Sequence, residues 1–144
     1  MADFNADFKT KLKSEVSIVA LVGADTGARI YPDTPKHNMK LPAIVYRERG
    51  GESHEKLTGA LGVAETMMQV DAYAATRSAA NNLSEVIRTA LQGPVNETWG
   101  DSYVSSVQVI RHRETDLEWT PDKQSVKRWI TRRVFRIFHE EATE

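Results

Sequence analysis

The chain has 144 residues, 40% hydrophobic and 27% charged, with a formal net charge of −1. That length fits one domain, 1–144, with a core of ordinary size. The near-neutral balance excludes a global pull toward nucleic acid or anionic membrane, and zero cysteines exclude disulfides and thiolate metal sites.

No run approaches the ~20 apolar residues that span a bilayer. The start, MADFNADFKTKLKSE, is charged from Asp3 onward and does not read as a secretory signal. The chain is expected to be made in a cytoplasm and to stay soluble there. Phe4, Phe8, Leu12, Val16 and Val19 recur every three or four residues, which predicts one amphipathic helix, stopped by Gly23 and Gly27. Short strands are predicted at 28–32, ending at Pro32, and at 41–49, opening on a proline. The segment 50–62 holds four glycines and no period, so it reads as a long loop that is mobile in a free subunit and orders on assembly. Residues 64–74 alternate, with Met68, Val70 and Ala72 on one face and Met67, Gln69, Asp71 and Tyr73 on the other.

A second helix follows. Leu83, Val86, Ile87, Ala90 and Leu91 form its apolar stripe, Thr76 or Ser78 caps it, and Gly93-Pro94 ends it. Strands at 102–114 and about 126–138 close the chain, joined by a loop at 115–125. The order α-β-β-β-α-β-β predicts an α+β fold: a mostly antiparallel sheet of four to five strands with two helices packed on one face.

Catalytic signals are scarce. His37, His54, His112 and His139 are scattered, with no spacing that builds a metal site. GADTGARIY (23–31) lacks the glycine pattern of a phosphate cradle, and no serine lies in GxSxG. Asp71, on a central strand, reads as an ion-pair partner rather than a catalytic acid. No enzymatic activity, cofactor or metal is expected.

Segment 111–136 carries eight Lys or Arg against four acids. Its last strand has large side chains on both faces: Trp129, Phe135 and Ile137 share the parity of Lys127 and Arg133, while Arg128, Arg132 and Arg136 share the other. Val134 and Phe138 are expected to anchor that strand in the core. If helices cover one sheet face, a partner subunit is the economical cover for the other.

The run from RIYPDTPKHNMKLPAIVY through VDAYA to the alanine-rich helix ending in ALQG, closed by RRVFRIFHEE, resembles the tail completion (head–tail joining) proteins of long-tailed bacteriophages and prophages. The resemblance covers about residues 1–141. It implies a tail-terminator-like structural protein of the virion, assembled in the bacterial host cytoplasm, with no membrane partner. It also implies a ring, typically homohexameric, that ends the tail tube, meets the head connector and passes DNA only through its lumen. The positions expected at its subunit or partner contacts are Arg47, Arg49, His54, Lys56, Asp71, Trp119, Arg128, Arg132 and Arg136. Such arginines suit a neighbour's carboxylates, for which Glu48, Glu52, Glu55, Glu65 and Asp71 are available. The rival reading is a small nucleic-acid-binding module using the basic strands at 111–136.

Overall fold

The computed structural model describes residues 4–23, 29–33, 40–49, 63–100, 102–120 and 126–140, with 63–64, 94, 102, 111–120 and 126–127 described by backbone alone. The expected first helix is two: α1, Phe4–Ser14, and α2, Val16–Val22. They part at Glu15, whose backbone is extended at φ −88° and ψ 116°. The hydroxyl of Ser14 donates to the carbonyl of Lys11 at 2.7 Å, a side-chain bond that competes with the helical ladder. The break turns the second helix about its axis. Phe8 and Leu12 are buried in α1 and Ile18 and Val22 in α2, whereas Val16, counted in the predicted stripe, is exposed. Gly23, at φ 94°, caps α2 as expected, its N–H donating to Val19.

The remaining elements are β1 (Ile30–Pro32), β2 (Ala43–Glu48), β3 (Val63–Ala74), α3 (Arg77–Leu91), β4 (Gly93–Trp99), β5 (Ser102–Thr120) and β6 (Val126–Glu140). The strands make one sheet in the order β1-β2-β3-β6-β5-β4. The β1–β2 pair is parallel and the other pairs are antiparallel. The fold is α+β as expected, but the described residues hold six strands and three helices, and the sheet is mixed.

Two misreadings account for most of the difference in the sheet. Gly93-Pro94 does end α3, yet the chain leaves Gln92 in an extended conformation and continues straight into β4. That strand lies at the sheet edge, where a proline's missing N–H does little harm. The predicted loop at 115–125 also gives up its first half. β5 continues to Thr120, paired opposite Val126, and absorbs register shifts between Val109 and Arg111 and between Arg111 and Glu114. The other half, and the 50–62 loop, lie outside the described residues.

The helices cover one face. Met68, Val70 and Ala72 from β3, Ile44 and Tyr46 from β2, Val104 and Val107 from β5, and Phe135 and Ile137 from β6 meet Phe8, Leu12, Ile18, Val22, Leu83, Ile87 and Leu91. Thus Phe135 and Ile137 carry β6 into this core, while Val134 is buried on the opposite face and Phe138 is half-buried there. Thr76 caps α3, its hydroxyl accepting from the N–H of Ala79 at 3.1 Å. The opposite face is not left bare throughout. Ala43, Val45, Tyr73 and Ile130 are buried there within the single chain, with Tyr31 and Leu41 against them. At that end the sheet does not need the partner that its two-sided apolar pattern suggested.

The turn from β4 to β5 fixes the position of α1. Gly100 adopts φ +59°, and a Cβ added there would lie 2.2 Å from Oδ1 of Asp7. Both the backbone and the space therefore require glycine. Gly100→Ala is expected to cost about 1–3 kcal/mol, read as a lower midpoint in urea unfolding with an unchanged slope.

Candidate functional site

Arg128, Arg132 and Arg136 of β6 stand on the sheet face away from the helices, and the register of β3 against β6 decides what they meet. Asp71 lies directly opposite Arg132. The guanidinium donates to its carboxylate from Nε at 2.9 Å and from Nη2 at 3.5 Å. The side-chain amide of Gln69 donates to the same carboxylate at 3.2 and 3.3 Å. On the other side of Arg132, Glu114 of β5 is its register partner. Arg136 pairs with Glu65 one diagonal step away on β3. Arg128 is buried, 5.0 Å from the centre of the Tyr73 ring, with Glu118 opposite it in register. Two carboxylates expected to serve a neighbouring subunit, Glu65 and Asp71, are thus bound within the chain.

The other expected contact positions lie on or just beyond β2, on β5 and outside the described residues. Arg47 is exposed near the end of β2, opposite Gln69. Arg49 is half-buried just beyond that strand, its N–H donating to Met67. Trp119 occupies a backbone position opposite Lys127. His54 and Lys56 lie outside the described residues. Among the described positions, Asp71, Arg128, Arg132 and Arg136 share the outer face of β3 and β6, and Arg47 lies on the same face of β2, opposite the Gln69 that hydrogen-bonds Asp71.

Sequence reasoning missed three polar groups on the helix side. The ammonium of Lys11 is held by Glu15 and by Glu97 of β4 at 2.6 Å, and the indole N–H of Trp99 donates to Glu97 at 2.8 Å. Arg133, on the opposite parity from the arginine row, donates from Nε to the hydroxyl of Ser84 at 2.7 Å and pairs with Glu85 on α3. His139 stacks on Phe4 with ring centres 4.1 Å apart, and its Nε2 lies 2.8 Å from the hydroxyl of Thr66. Apart from Lys11–Glu15, an i,i+4 pair, these contacts join residues distant in the chain, so local spacing could not have marked them.

Burial opposes the charge on Lys11, but its hydrogen bonds to Glu15 and Glu97 prevail and raise its pKa. The Lys11 hydrogen bond holds Glu97 below the ordinary carboxylate range, and the Arg88 hydrogen bond does the same for Glu85. A depressed acid adds stability above its unfolded pKa, about 4.3 for Glu, and loses it as pH falls through the folded value. A raised lysine adds stability below about 10.4 and loses it as pH rises through its folded value. Thermal stability is therefore expected to be flat near neutrality, falling below the carboxylate range and again above pH ~10. Lys11→Met should remove the alkaline limb and soften the acid one in a series of melts.

Described residues line two surface clefts. A groove of about 420 Å³ between α2 and α3 is lined by Glu15, Ser17, Glu85, Val86, Thr89 and Ala90. A cleft of about 310 Å³ lies among Asn5, Ala6, Lys9, Pro32, Asp33 and Tyr46. Neither lining joins a nucleophile to a histidine base. Among the described residues there is no cluster of three metal-binding side chains, and no helix is long and apolar enough to cross a membrane.

A family model, tail completion protein gp17, matches residues 9–120. The chain belongs to that family. The match runs from α1 to the end of β5. The fold likeness reaches further: a chain in a solved structure titled "Virion of native gene transfer agent (GTA) particle" aligns with a TM-score of 0.62 at 15% identity, covering 93% of this chain and 91% of that one. No curated protein matches the sequence. As a tail completion protein, the chain is a structural component of a phage-type virion, located in the tail.

Proposed function

We propose that copies of this chain close into a ring, six in number, at the head-proximal end of a phage-type tail. The ring terminates the tail tube and joins it to the head connector, and DNA passes along its axis. Family membership over residues 9–120 carries this reading, and the likeness of fold to a chain of a gene transfer agent virion supports it. The geometry adds an argument against the nucleic-acid rival. Arg132, Arg133 and Arg136 are each paired with a carboxylate of their own chain, and Arg128 is buried on Tyr73. A phosphate backbone would have to displace those partners, which weakens the basic-platform reading.

The test is complementation in a phage or particle system from which this protein has been removed. Full heads and finished tails should accumulate unjoined, and adding the purified protein should restore joining. Joined particles in its absence would overturn the proposal. So would protein that restores joining only through a salt-sensitive affinity for DNA.

A further inference from the structure

Among the described residues, the large hydrophobic side chains that stand in solvent are Val16 at 82%, Tyr103 at 37% and Ile110 at 38%. They lie on opposite sides of the molecule. Val16 opens α2 in the helical layer, beside the groove whose walls carry Glu15 and Glu85 alongside Val86. Tyr103 and Ile110 lie on the outer sheet face, because Val104, Val107 and Val109 of the same strand turn toward the core. The two are seven residues apart, about 23 Å along a strand. Between them on β6, half-buried Phe138 and Arg136 sit opposite Ser106 and Gln108 in register.

We infer that these two surfaces are the two halves of one contact between copies of this chain. The β5 strip of one copy seats on the α2–α3 groove of the next. The inference rests on the ring reading and specifies it. A ring needs two different patches on different sides of each subunit, whereas a two-fold dimer uses one patch twice. The exposed hydrophobics are divided in the way a ring requires. The chain buries Ala43, Val45, Tyr73 and Ile130 on the outer face by itself but leaves Tyr103, Gln108 and Ile110 of β5 exposed there, and a helical layer is a natural cover for an open sheet face.

The charges also match. The groove presents two carboxylates, whose side chains are 29% exposed for Glu15 and 42% for Glu85. Beside the strip, opposite Gln108, β6 presents Arg136, 37% exposed. Each of these groups already has a partner in its own chain. Carboxylates accept further donors and a guanidinium has five N–H groups, so the contact extends existing pairs without burying a bare charge.

The chain has no cysteine, so engineered thiols report this contact alone. Val16→Cys and Ile110→Cys proteins are prepared separately and together, then treated with a short bis-maleimide linker under conditions in which the wild type assembles. Mixed single variants should yield a covalent hetero-dimer, neither single alone should dimerise, and the double variant should give a ladder of oligomers. Val16→Asp and Ile110→Asp should each weaken assembly about tenfold or more, as expected of an anchor at an interface centre, while melting like the wild type as isolated subunits. The inference is overturned if rings form unchanged with both aspartates. It is equally overturned if either single cysteine variant dimerises with itself, which would mark a two-fold contact. Either result leaves the ring itself standing. A wild type that forms no ring on tails would instead refute the proposed function, and this inference with it.

Discussion

Replacing Phe135 by alanine is expected to cost about 3–5 kcal/mol and to lower the melting temperature by roughly 10–15 °C. The side chain is fully buried on the helix side of β6, in the core formed with α1, α2 and α3. Truncation removes the transfer free energy of the ring and leaves a cavity that flanking strands cannot close, because β6 is paired on both sides. Phe138→Ala, on the outer face and half-buried, should cost less than half as much. Equal losses at the two positions in calorimetry would show that the core side of β6 has been misassigned.

The second large effect is electrostatic. Arg132→Gln removes the charged partner of a buried carboxylate and leaves Asp71 with only the amide of Gln69 and the new, neutral side chain. Breaking a fully buried pair in this way costs about 3–5 kcal/mol. About 2–3 is expected here, since 32% of the Arg132 side chain reaches solvent and softens the loss. Asp71→Asn in the same chain removes the stranded charge and should recover part of that stability. A double-mutant cycle measures the coupling, and a coupling of zero would mean that the pair is incidental. The consequence for assembly is direct. Arginines 128 and 132 cannot serve as a clean probe of subunit contacts, because their removal acts first on the fold.

How much of this was legible in the sequence varied with the kind of signal. The third helix was readable because three signals agreed: the Thr76 cap, the Leu83–Ile87–Leu91 stripe and the stop at Gly93-Pro94. The break at Glu15 was not readable, since apolar residues keep helical spacing straight through it and only burial shows Ile18 and Val22 replacing Val16 and Val19 on the inner face. β4 was missed for a physical reason. It opens on Gly-Pro, places Asn96 at φ +47°, and buries Trp99 alone among its described side chains, so it has a turn's composition and no alternation. The shared face of Arg128, Arg132 and Arg136 followed from parity. Their partners did not, because those depend on the register between β3 and β6, which no local spacing encodes. The family resemblance, resting on order and spacing over the whole chain, was the more informative signal about function.

Everything proposed for this chain depends on a ring of its copies at the head-proximal end of the tail. Electron cryo-microscopy of tails assembled with this protein tests it most directly, by reconstructing that end without imposed symmetry. A closed ring of copies of this fold capping the last tube layer is expected, with the helical layer of one copy against the β5 strip of the next at each subunit boundary. Tails whose head-proximal end lacks this chain, or that carry it only at the distal tip, would contradict it.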